Sequence, residues 1–252
     1  MNKAGSLGYT IDNLRFGVDP GTYQRAIEIY EKKKVTNFQR FLHASSATVR
    51  GTHQYDVIVD TRHYDRGSCT CYLGQQDILC KHMIAVALYS LLEGRPLQPS
   101  HKESTDAPVC SGELGTLDAM ELRSAQSQIK IGLSCIKAYN GPSRTWFAYQ
   151  ARLCEGCSRL SETVSKLPVS QKTAKMLVQL LLKLDDKLCR SGVDDSDGTV
   201  GTFMEETVQV LIQFAALDPS CIKEFTVLQN KETCFGWEET LIKLDKQSAK
   251  TS

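Results

Sequence analysis

The strongest constraint on the fold is a group of three cysteines and one histidine within a short segment. Cys69 and Cys71 form a C-x-C pair, and after eight intervening residues Cys80 and His82 form a C-x-H pair. Three thiols and one imidazole are the ligand set of a closed tetrahedral zinc site, with Zn–S bonds of about 2.3 Å and Zn–N bonds of about 2.0–2.1 Å. The pattern therefore predicts one structural Zn²⁺ ion.

The spacing of the two pairs predicts how they converge. Residues i and i+2 of a strand point to the same face, so a strand over residues 68–72 would direct Cys69 and Cys71 to one point. The apolar run that follows His82 predicts a helix from about His82 to Glu93, and the second pair lies at its start. Gly74 lets the chain turn back between the pairs. The site is expected to join a sheet to a helix.

Two other interpretations of these cysteines remain open, namely chance clustering and a redox pair. Free cysteines are commonly buried and inert. The surrounding segments Arg66-Gly67-Ser68 and Gly74-Gln75-Gln76-Asp77 are polar and typical of turns. Such positions suit metal ligands better than core residues, which favours zinc.

The N-terminal part of the chain predicts a small antiparallel sheet behind the site. Residues 1–18 show no clear period and are expected to be a loose arm, and Asp19-Pro20 predicts the start of a helix. The helix is followed by three segments typical of strands, with a hairpin turn at Gly51-Thr52-His53 before the last. These segments are Val35–His43, Ala47–Gly51 and Gln54–Asp60.

The rest of the chain predicts helices. Prolines and polar residues dominate 95–112 and predict a linker between an N-terminal zinc-binding domain, 1–94, and a helical domain, 113–252. Six helices are expected in this part. The first two cover residues 117–139 and 143–167, the third begins after the cap Ser170, and the fourth begins at a capping box formed by Thr202 and Glu205. The last two cover residues 221–228 and 232–244. The predicted fold class is α+β, a small antiparallel sheet and helix that hold the zinc, followed by an all-α bundle or hairpin array.

The C-x-C and C-x-H pairs before an apolar helix resemble the SWIM-type zinc finger. The matching residues are Cys69, Cys71, Cys80, the Lys81-His82 pair and the helix behind them. The upstream helix and strands are similar to prokaryotic members, so the resemblance covers about residues 15–95. It implies a structural zinc ion and a domain that binds DNA or other proteins. A protein partner such as an ATPase or a recombination factor is also implied.

The other cysteines show no second metal site. Cys154 and Cys157 form a C-x-x-C within a predicted helix and are expected in the core. Cys110, Cys135, Cys189, Cys221 and Cys234 lack ligand spacing and are expected to be structural thiols rather than disulfides. The acidic segment 194–198 fails the pattern of a calcium loop and is expected to cap the next helix.

Charge gives only weak support for nucleic-acid binding. The net charge is +1, but residues 1–100 contain 12 Lys and Arg against 9 Asp and Glu. Arg62, Arg66 and Lys81 lie near the zinc ligands in sequence and are the predicted nucleic-acid contacts. The alternative is that they are ordinary solvated ends of strands.

Two hypotheses for function follow. The first is a nucleic-acid-binding module within a larger assembly, and the second is a protein-interaction adaptor whose zinc is purely structural. No nucleophile elbow, Walker loop or glycine-rich fingerprint occurs, and four strong ligands would close the metal, so an enzyme is not expected. Without a run of 18 apolar residues or a signal-like N-terminus, we expect an intracellular protein, cytoplasmic or nuclear, that makes no membrane contact.

Overall fold

The computed structural model describes residues 7–102, 107–142 and 146–251. The chain forms two compact units, Met1–Ser104 and Thr105–Ser252. The first, the N-terminal unit, combines a sheet with helices, and the second, the helical unit, is built from helices. The predicted α+β class with a helical C-terminal region is confirmed. No helix within the described ranges combines the length and apolar character needed to cross a membrane.

The N-terminal unit places two helices before the sheet and one after it. Its described strands form an antiparallel sheet in the order β1-β2-β3-β4. Short 3₁₀ turns follow β4 and α3, at Gly74–Gln76 and Pro99–His101. The main elements are α1 (Ile11–Phe16), α2 (Pro20–Glu31), β1 (Val35–Arg40), β2 (Ala44–Arg50), β3 (Gln54–Asp60), β4 (Gly67–Cys69) and α3 (Lys81–Leu92).

The expected loose arm is in part a helix. Residues 1–6 lie outside the described ranges, but α1 begins after Thr10, whose side chain accepts a hydrogen bond from the Asn13 amide. Asn13 in turn accepts from the Thr10 amide, which completes a capping box. The arm prediction failed because this short helix has no long apolar period and depends on its cap. Asp19 caps α2 with Pro20 at the first helical position, as predicted.

The sheet and α3 share one core. Val49, Val57 and Val59 are buried, whereas Ile58, which points to the opposite face of β3, is exposed. This alternation is what a strand with one covered face requires. The apolar segment 83–88 of α3 is buried completely, because α2 and the sheet both pack against this helix. The burial explains why the helix is apolar on nearly all sides.

The helical unit begins its helices at well-defined caps. Asp118 and Glu121 form a capping box at α4, and Ser170 caps α6 through the Thr173 amide, as predicted for Ser170. Its core includes Leu177, Leu181 and Phe214. The elements are α4 (Ala119–Cys135), α5 (Trp146–Ser165), α6 (Gln171–Arg190), α7 (Thr199–Leu217), a 3₁₀ helix (Pro219–Leu228) and α8 (Glu239–Thr251).

Two predicted helix starts in this unit are wrong. Helix α7 begins at Thr199 instead of Thr202. The reason is that the Asp195 carboxylate accepts hydrogen bonds from the Val200 and Gly201 amides, each at 2.8 Å. The acidic segment therefore caps this helix, as expected. Helix α8 begins at Glu239 instead of residue 232, because Phe235 and Gly236 adopt positive φ angles that interrupt a helix.

Cysteine positions also differ from expectation. Cys157 is buried as predicted, but Cys154 is exposed. Cys189, at the end of α6, forms a disulfide with Cys234, and their Cα atoms are 6.2 Å apart. The Asp185 carboxylate accepts hydrogen bonds from the Cys234 amide at 2.8 Å and from the Trp237 indole at 2.9 Å. This pairing could not be predicted from cysteine spacing, because it depends on the tertiary contact of α6 with the segment before α8.

The disulfide should contribute to the stability of the helical unit under oxidising conditions. It closes a loop with a sequence separation of 45, for which the loss of chain entropy in the unfolded state is worth about 4 kcal/mol. We expect Cys189→Ser to lower the free energy of unfolding of the oxidised protein by about 2–4 kcal/mol. Urea unfolding with and without reductant measures this, and the reduced proteins serve as controls. Equal stability of the oxidised and reduced unsubstituted protein would contradict the prediction.

Candidate metal centre

The predicted ligand group is built from two places in the fold. The end of β4 positions Cys69 and Cys71, and the start of α3 positions Cys80 and His82. Cys69 ends β4, where it pairs with Val57 of β3. The strand is shorter than predicted, so Cys71 lies just beyond it. Cys80 is the N-cap of α3 with an extended backbone (φ −122°, ψ 164°), and His82 lies in the first turn. The expected junction of a strand end and a helix start is present.

Gly74 allows the loop between the two pairs to close tightly. A Cβ atom at this position would lie 2.3 Å from the Cys69 carbonyl oxygen and 2.5 Å from the Cys69 Cβ. Contacts this short are far inside van der Waals distance. The Gly74 amide also donates to the Cys71 sulfur at 3.4 Å. Only glycine fits at this turn without moving the first cysteine pair.

The four donor atoms form a compact group that fits a metal ion. The Cys69, Cys71 and Cys80 Sγ atoms and a ring nitrogen of His82 all lie within 4.8 Å of one another, and the four residues are buried. His82 Nδ1 is 3.7 Å from Cys69 Sγ and 4.0 Å from Cys80 Sγ. Tetrahedral zinc with ordinary bond lengths would require a sulfur-to-nitrogen distance of roughly 3.6 Å. The residues present therefore fit a four-coordinate ion.

The surroundings favour the thiolate of one cysteine in this group. A hydrogen bond with Cys69 lowers the pKa of Cys80 below the usual range of a thiol. The same hydrogen bond, together with burial, raises the pKa of Cys69. The Cys71 amide donates to Cys69 Sγ at 3.5 Å. Backbone donors of this kind stabilise the negative charge that metal-bound sulfur carries.

An aromatic contact fixes the histidine ring. Tyr55 of β3 stacks on His82, with ring centroids 4.3 Å apart and an interplanar angle of 23°. Tyr55 lies two residues before Val57, which pairs with Cys69. Residues two apart in a strand share a face, so Tyr55 and Val57 lie on the same face of β3. The stack holds the imidazole with Nδ1 toward the sulfur atoms. The sequence does not mark Tyr55 as part of the site, because the stack depends on how β3 packs beside α3.

A second group of potential donors is less suited to a metal. Asp185, Cys189 and Cys234 also lie within 4.8 Å of one another. Cys189 and Cys234 are joined by the disulfide, and disulfide sulfurs are not thiolate ligands. Asp185 is already occupied by the Cys234 and Trp237 donors. This group is a structural contact in the oxidised chain.

The structure places the predicted nucleic-acid contacts in two locations. Arg62 and Arg66 lie in the turn between β3 and β4, where the Asp60 carboxylate accepts hydrogen bonds from the Arg62 and His63 amides. Lys81 lies at the start of α3 and lines a cleft beside Tyr55. Asp60 lies five residue steps along β3 from Tyr55, a distance of about 17 Å at the usual rise of a strand. Arg62 and Arg66 therefore lie toward the other end of β3.

Most of the residues around Lys81 were not predicted from the sequence. The cleft, named here the basic cleft, contains cations from α2, from the residues after it, from the β2–β3 hairpin and from α3. They are Arg25, Lys32, Lys34, Arg50 and Lys81. Arg50 lies beside Lys34 because the two residues are joined by a backbone hydrogen bond at the end of the β1–β2 pairing. Local spacing alone carries no signal for this arrangement.

Comparison with known proteins supports the assignment of the ligand group. Residues 55–91 match the family model of the SWIM zinc finger. Neither curated proteins nor solved structures gave a significant match to the chain. The match includes all four donors, Tyr55 and almost all of α3. The chain thus carries a SWIM zinc finger at residues 55–91 and continues into a helical C-terminal region.

Proposed function

We propose that the finger holds one Zn²⁺ ion in a purely structural role. The observation that carries this proposal is the burial of four strong donors within 4.8 Å of one another. Three thiolates and one imidazole complete a tetrahedron, so no coordination position remains for a substrate or a water nucleophile. When bound, zinc would supply a rigid junction between β4 and α3. An enzymatic role is not proposed.

Purified protein should contain about one equivalent of zinc, since the donor set provides one four-coordinate site. Cys80→Ser removes a ligand that is 1% exposed and should abolish stoichiometric binding. Cys154→Ser changes an exposed cysteine in the helical unit and serves as the matched control, with full zinc content expected. Elemental analysis measures both variants. Full zinc retention by Cys80→Ser would disprove the assignment.

Zinc removal should destabilise the N-terminal unit selectively. Its sheet is small, and the ligand group ties α3 to the sheet in addition to their shared apolar core. Zinc should therefore supply much of the local folding free energy. After chelation, hydrogen exchange followed by mass spectrometry should show lost protection in residues 35–92 and retained protection in α6 and α7. Simultaneous loss of protection in both units would show that their stability is coupled, contrary to this prediction.

We further propose that the finger binds nucleic acid as part of a larger assembly. Support comes from cations of the finger that have no ion-pair partner among the described residues. Arg62, Arg66 and Lys81 have no carboxylate within ion-pair distance in the described part of the chain, whereas Arg40 pairs with Glu93 at 3.1 Å. Cations that are not neutralised locally are available to backbone phosphates. The rigid junction would fix the backbone on which Lys81 lies.

The zinc-loaded protein alone should bind oligonucleotides with strong salt dependence. Each phosphate contact releases counterions, which gives a slope of log K against log salt of about −0.7 to −0.9 for each contact. Fluorescence anisotropy over a salt series measures this slope for single strands and duplexes. Absence of binding to every oligonucleotide at low salt would overturn the proposal. The alternative, a protein-interaction adaptor with structural zinc, would then be the better hypothesis.

A further inference from the structure

The basic cleft is a recess in the N-terminal unit with a volume of about 270 Å³. Its walls come from α2, from the β2–β3 hairpin and from the first turn of α3. The imidazole of His82 and the ring of Tyr55 also line it. The cleft therefore lies directly beside the metal centre, and one of the metal-binding residues forms part of its wall.

Positive charge in the cleft is only partly neutralised. Among its described lining residues, Glu28 is the one carboxylate, against the five cations of the basic cleft. Glu28 pairs with Lys32 at 3.1 Å. Lys34, Arg50 and Lys81 have no carboxylate within 4.0 Å in the described ranges. Like charges gathered in a recess create a local field that attracts anions.

The cations are held by backbone structure rather than by flexible loops. The Arg50 amide donates to the Lys34 carbonyl at 2.9 Å, which fixes these residues side by side at one end of the sheet. The Lys34 amide donates to the Ile29 carbonyl at 3.0 Å, after Lys33 has turned the chain with a φ of 52°. Lys81 stands between Cys80 and His82. Preorganised positions reduce the entropy lost on binding.

We propose that the basic cleft seats the backbone phosphates of a nucleic-acid strand. This proposal rests on nucleic-acid binding as the function of the finger, and it assigns the contact surface. The cations approach the recess from separate elements, so they can pair with successive phosphates rather than with one. Lys34, Arg50 and Lys81 provide the principal contacts. The Arg62 and Arg66 turn is secondary in this arrangement.

Three double charge reversals in the full zinc-loaded chain test the cleft. Lys34→Glu with Arg50→Glu alters the cleft, and Arg62→Glu with Arg66→Glu alters the turn predicted from sequence. Lys172→Glu with Lys175→Glu changes the same charge on exposed positions of α6 and is the matched control. Anisotropy with labelled single strands and duplexes over a salt series gives the affinity and the salt slope. Zinc content and circular dichroism verify the fold of each variant.

The cleft variant should weaken binding by about tenfold or more at low salt and reduce the magnitude of the salt slope by about 1.4–1.8, the value for two lost phosphate contacts. The α6 variant should show a smaller loss of affinity. If the glutamate pair loses zinc, Lys34→Gln with Arg50→Gln should still reduce the slope. An effect of the turn variant equal to or larger than that of the cleft variant would overturn the cleft assignment and leave nucleic-acid binding intact. Failure of the unsubstituted chain to bind would instead refute the proposed function itself.

Discussion

The convergence of a strand end and a helix start on one buried point determines the structure of the finger. Cys69 reaches this point because β4 pairs with β3 at Val57, and Cys80 reaches it as the cap of α3. Burial alone would not bring three thiols and one imidazole to a single point, because free cysteines are commonly buried one at a time as small apolar groups. Their placement within 4.8 Å of one another makes sense as a single coordination group. The sheet, the turn at Gly74 and the direction of α3 all serve that geometry.

The parts of the fold that could be predicted depend on local rules. The ligand spacing, the α2 start at Asp19 and the Ser170 cap involve residues close in sequence, and the structure confirms them. One of the two failed helix starts, that of α7, involves competition between neighbouring caps. Asp195 reaches two amides across five and six residues and so displaces the start expected at Thr202. A sequence pattern identifies possible caps, but hydrogen-bond geometry decides which of them forms.

The features that could not be predicted require distant segments to meet. The Cys189–Cys234 disulfide depends on the Asp185 network, which links α6 to residues 234 and 237. The stack of Tyr55 on His82 depends on how α3 packs against β3. These contacts have no periodic or spacing signal of their own. They follow from tertiary packing, which the hydrophobic pattern predicts only in outline.

The basic cleft shows why net charge is a poor guide to what this chain binds. The whole sequence has a net charge of +1, but charges farther apart than the Debye length, about 8 Å at physiological ionic strength, are largely screened from one another. A phosphate in the cleft would therefore experience chiefly the cations that line it. The Glu28–Lys32 pair is neutral as a unit, which leaves Arg25, Lys34, Arg50 and Lys81 to set the local potential. The arrangement of these charges, and not the sum over the whole sequence, therefore supports an anionic ligand.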